Sequence, residues 1–191
     1  MGQSTRLYGV TRASNINIAA QTSGALAAIL PALQTILGTT ETVIADPGIL
    51  TNALIVAIEP GGPCEQEEFQ LLASGYFNLG TSSTVTLRLY SGTSLTPVSN
   101  TLLKSSGASS AFSGKAPWKL KAILLYDSVS GQLTGTVEFL INNVVVAAAA
   151  VTNVVTGVNN ANNPVLSFVI SVQFSTAGTQ VINVKDFGIN H

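Results

Sequence analysis

The chain has 191 residues, of which 46% are apolar and only 9% charged, and its net charge is −1. A core of useful size can form, and the disordered class, which combines low hydrophobicity with high charge, is excluded. The longest apolar runs, such as Val144 to Val151, fall far short of the roughly 18–20 residues a spanning helix needs, so no membrane partner is expected.

Residues 1–40 read as an N-terminal arm followed by a short helical or extended segment. The opening MGQSTRLYGVTR is polar, so no signal peptide is expected. Arg6, Leu7 and Tyr8, and then Ile16 and Ile18 between asparagines, give short alternating pieces. Such pieces suit strand addition to a sheet edge, here the edge of a neighbouring chain. Between residues 21 and 38, Leu26, Ile29, Leu30, Leu33, Ile36 and Leu37 recur at helical spacing, and Gly38 suits a helix end. Pro31 interrupts that segment, so two short helical pieces or an extended stretch stay open.

Residues 41–191 read as one β-sandwich domain. Val, Ile, Thr, Leu and Phe dominate, and Gly, Pro, Asn and Asp punctuate them at short intervals. Thr42 to Ala45 leads into Asp46-Pro47-Gly48, which suits a type II turn. Ala53 to Ile58 reads as a buried strand, stopped by Pro60-Gly61-Gly62-Pro63. Glu67 to Leu79 and Thr84 to Tyr90 alternate, with Val85, Leu87 and Leu89 on one face. Ser91 to Gly114 is Ser-, Gly- and Thr-rich and reads as a long surface loop holding one short strand. Trp118 to Tyr126 and Gln132 to Ile141 form a hairpin around Asp127 to Gly131, a type I turn with a bulge. Asn142-Asn143 fits a two-residue type I′ turn, because Asn tolerates positive φ. Val144 to Val151 is apolar without alternation, as in a strand covered on both faces. Phe168, Ile170, Val172 and Phe174 line another strand, and Val181 to Ile189 forms the last.

About eight substantial strands at this spacing predict an all-β fold. The expectation is a jelly-roll-like antiparallel β-sandwich with an N-terminal arm, with an immunoglobulin-like sandwich as the alternative. Low charge on such a scaffold predicts that other chains cover much of its surface. The apolar arm residues and the doubly apolar strand mark that interface: Arg6, Leu7, Tyr8, Ile16, Ile18, Val144, Val146 and Ala148, together with Trp118.

Catalytic groups are sparse. The one histidine is His191, so a Ser-His-Asp or Cys-His arrangement has little to draw on. The lone Cys64 excludes an internal disulfide and a multi-cysteine zinc site. Glu65, Glu67 and Glu68 cluster beside it, but their spacing matches no EF-hand and reads as a solvated charge run. Asp127 and Asp186 sit at strand ends, where Asp caps turns. The stretch Gly107 to Ala116 contains Gly-Lys without the spaced first glycine or the following Ser/Thr of a phosphate loop. Trp118 reads as a core or interface anchor ahead of a sugar platform. Lys115, Lys119 and Lys121 form the main basic cluster and make no stripe, so no nucleic-acid partner is expected. No enzyme activity, cofactor or metal is expected.

The stretch from Phe69 to Phe187 runs FQLLASGYFN, STVTLRLYSGTS, APWKLKAILLYDSVSGQLTGTV, VLSFVISVQFS and VKDFGI. It resembles structural proteins of tailed bacteriophages, in particular jelly-roll capsid decoration (cement) proteins. Pro117-Trp118-Lys119-Leu120 with Asp127-Ser128 and Gly131 to Gly135 carries the resemblance most specifically. The resemblance implies a homotrimer seated on the major capsid protein or another virion protein. It also implies a location on the capsid surface after synthesis in the host cytoplasm. A tail, baseplate or fibre module, or a carbohydrate-binding β-sandwich, is the alternative.

Overall fold

A computed structural model describes residues 11–14, 34–45, 55–57, 66–92, 94, 96–127, 130–155 and 165–190. The described residues form twelve strands: β1 (Thr11–Ser14), β2 (Gln34–Ile36), β3 (Thr42–Ala45), β4 (Ile55–Ala57), β5 (Gln66–Ser83), β6 (Val85–Ser91), β7 (Thr101–Ser105), β8 (Phe112–Asp127), β9 (Gln132–Ile141), β10 (Val144–Val155), β11 (Val165–Phe174) and β12 (Gln180–Asn190). One sheet runs β1-β12-β5-β8-β9-β10, with β2 also on β12; the other runs β3-β11-β6-β7, with β4 also on β11. Every pairing is antiparallel.

The chain is an all-β sandwich with jelly-roll wiring. One four-strand unit is β2-β12-β5-β8 and the facing unit is β3-β11-β6-β7. The chain crosses between sheets at β2 to β3, β4 to β5, β5 to β6, β7 to β8, β10 to β11 and β11 to β12, the nested Greek-key path of this fold. The β9–β10 hairpin is an addition that widens the first sheet beyond β8. An immunoglobulin order is not what these pairings give.

Alternation drives the packing, since successive strand residues face opposite sides. Phe69, Leu71, Ala73 and Phe77 of β5, Leu120, Ala122, Leu124 and Tyr126 of β8, and Leu133, Val137 and Phe139 of β9 are buried. They face Val85, Leu87 and Leu89 of β6 and Phe168, Ile170, Val172 and Phe174 of β11 in one core. Phe77 meets Phe174 edge-on, with ring centroids 6.1 Å apart, and so ties the two sheets together.

Of the readings left open for residues 21–38, the extended one holds at Gln34–Ile36, a strand on β12, and residues 21–33 lie outside the described residues. The arm's described part, β1, adds to β12 of its own chain. Arg6, Leu7, Tyr8, Ile16 and Ile18 lie outside the described residues. Finally, β10 is not covered on both faces, because it ends its sheet and part of it is exposed. Its lack of alternation comes from an edge position and from two bulges, between Val145 and Ala147 and between Val151 and Val154.

Candidate interaction surface

Trp118 shows how tightly the centre of the large sheet is built. Its indole crosses β5 at Gly75 and donates to the Asn183 carbonyl on β12 at 3.1 Å. A Cβ at Gly75 would stand 1.8 Å from that oxygen and 2.8 Å from Nε1, so no larger residue fits under the ring. At 1% exposure Trp118 belongs to the core. Of its two expected roles, core or interface anchor, this burial fits the first, and it removes the indole as a sugar platform.

Among the described residues, no three of His, Cys, Asp and Glu converge as metal ligands. His191, Cys64 and Glu65 lie outside the described residues. Glu68 is exposed and accepts from Gln70 Nε2 at 3.1 Å. Asp127 accepts from Ser130 N at 3.3 Å and Ser130 Oγ at 2.5 Å, which holds the β8–β9 turn. Asp186 accepts from Ser74 at 3.1 Å. The Gly-Ser segment after β7 lines the edge of β6. Ser106 N and Ser109 N donate to Leu87 O and Val85 O, while the Ser106 and Ser109 hydroxyls accept from Leu87 N and Val85 N. Those serines stand in for a missing strand along the edge of β6.

One polar cluster does form, on the outer face of the smaller sheet. Glu41 Oε1 accepts from the Tyr90 hydroxyl at 2.7 Å and from Ser171 Oγ. Arg88 NH1 stands 3.0 Å from Glu41 Oε2, an ion pair whose angle falls short of hydrogen-bond alignment. Arg88 NH2 donates to Gln173 at 2.9 Å, and Gln173 Nε2 donates to Thr39 O at 3.2 Å. Beneath them Val43, Tyr90 and Val169 form a small apolar cluster. Burial, aided by the Glu41 carboxylate, pushes the Tyr90 phenol up to about 12. The cluster clasps residues 39–43 to β6 and β11. Its carboxylate is already shared among three partners, so it is a fastening and not an acid–base pair.

The β7–β10 side of the sandwich is different. β10 ends one sheet and β7 ends the other, and the Lys104 ammonium of β7 reaches Ala150 O at 3.2 Å. Val144 is 61% exposed and Val145 51%, and Ala148 and Ala150 are exposed as well. Val146 packs partly against the core. Of the sequence-derived interface residues, Val144, Val146 and Ala148 thus share one edge strand, with Val144 and Ala148 open to solvent. Val145, Leu102 (46% exposed) and Val98 (87%) were missed.

No protein-family model matches the chain, and a search of curated proteins finds no relative.

The missed residues had a signal. Val145 lies within the run already singled out, and Leu102 lies in the Ser-, Gly- and Thr-rich stretch read as surface. What sequence could not give is that both edges fall on the same side of the sandwich.

Proposed function

We propose that this chain is a non-enzymatic structural subunit that assembles with copies of itself and seats on a larger protein lattice. The concrete form is a virion protein of the capsid-decoration kind, bound to the major capsid protein of an assembled shell. One observation carries the assembly reading: β10 is a twelve-residue edge strand without a single charged residue, and it exposes Val144, Val145, Ala148 and Ala150. Isolated edge strands are normally blunted by charge, proline or a covering element, because an apolar edge recruits other chains. A single lysine tip and two bulges are modest protection over that length. The lattice partner follows from the jelly-roll wiring and from the resemblance over Phe69 to Phe187. Many weak contacts on one lattice then reinforce one another through avidity.

Light scattering after size exclusion tests the first half. A mass of two or more copies at micromolar concentration is expected, and a monomer would remove the main support. Quantitative mass spectrometry of purified phage particles tests the second half. The chain should be present in numbers comparable with the capsid protein; recovery in tail fractions alone would reject the decoration role.

A further inference from the structure

We infer that the β7–β10 flank is the surface through which two copies of this chain meet. This rests on the self-assembly reading above and names the surface that performs it. Of the six large apolar side chains exposed among the described residues, Val144 and Val145 lie on β10, Leu102 on β7 and Val98 in the turn leading into β7. The apolar exposure is therefore concentrated where both sheets end. The other two, Leu37 and Leu72, stand elsewhere.

The occupant is another copy of the same flank, on three grounds. The first is charge. Over Thr96 to Ser105 and Val144 to Val155 the one ionised side chain is Lys104, and its ammonium is engaged by Ala150 O. Nothing there selects a charged partner, whereas a neutral apolar flank matches its own kind. The second is pattern. β10 reads three valines, four alanines, then Val151, Val154 and Val155. Laid antiparallel on itself about the point between Ala148 and Ala149, such a strand sets Ala147 against Ala150, Ala148 against Ala149 and Val146 against Val151, a neutral apolar centre where backbones approach closely. The third is length. Twelve residues at ~3.3 Å each give ~40 Å of strand edge, long enough for the same strand of a second copy to pair along it.

The test uses the full chain and three variants, Val145→Lys, Leu102→Lys and, as a control on the outer face of β5, Leu72→Lys. Dilution light scattering should show wild type and Leu72→Lys as multi-copy species. The two flank variants should dissociate at concentrations at least tenfold higher. A wild-type monomer would overturn this inference and the assembly reading together. A wild-type oligomer that survives both flank substitutions would overturn the flank alone. Hydrogen exchange of the wild type at high and low concentration avoids reliance on the variants' folding. β10 amides should gain protection on concentration, and equal protection at both would overturn the proposal.

Discussion

At the scale of single residues, a chain this poor in charge spends one carboxylate on a cluster that joins distant segments. Glu41 brings together Arg88, Tyr90 and Ser171. Alternation along β6 announces that Arg88 and Tyr90 share a face, but nothing local announces that residue 41 will cover it. The Tyr90 phenol is held to about 12 from its usual value near 10, so the fold favours the protonated form. The stability this provides is complete below pH ~10 and is lost as pH rises through 12. Urea unfolding at pH 9 and at pH 11.5 should therefore show wild type losing more stability over that interval than Tyr90→Phe. Equal losses in the two proteins would contradict the assignment.

At the scale of elements, the β8–β9–β10 meander was the most legible part of the sequence, because its turns carry their own chemistry. Asn142 and Asn143 take φ values of 52° and 63°, the paired left-handed conformation of a type I′ turn. Gly131, at φ 67°, closes the preceding turn and donates to Asp127 O at 2.8 Å. Asn143→Gly should keep or raise stability by a few tenths of a kcal/mol, while Asn143→Val should cost about 1–2 kcal/mol. Chemical denaturation of both variants reads the difference, and a neutral valine would argue against the turn. Strand limits were less legible. Pro117 suggests that β8 starts after it, yet the strand begins at Phe112. The reason is positional: Pro117 O accepts from Asn142 N at the end of β9, so its missing N–H faces the open side where β8 has no second neighbour. The helical spacing before residue 38 misled for the opposite reason. Apolar periodicity records which residues want burial, and β12 offered an edge that settled Gln34–Ile36 as strand.

At the scale of the molecule, composition and punctuation were enough to read an all-β sandwich, and the order of its strands is the jelly roll expected. The extra width of the larger sheet was not foreseen. The β9–β10 hairpin extends that sheet past β8, and the strand it meets on the other side, β7, has five residues against twelve in β10. An overhang follows, which is why a run that looks doubly buried in sequence emerges half exposed. Binary pattern states what each face prefers, but not how many strands the opposite sheet will have to cover it.

The same shortage of ionised groups fixes how the fold should respond to its solvent. With 9% charged residues and a net charge of −1, there is little for counter-ions to screen. Raising sodium chloride from 20 to 500 mM should leave the midpoint of thermal melting almost unmoved. Ammonium sulfate at matched ionic strength should raise it, because an excluded salt favours the compact state whatever the charge. A large response to chloride would mean that ion pairing contributes far more to this fold than its carboxylates and lysines suggest.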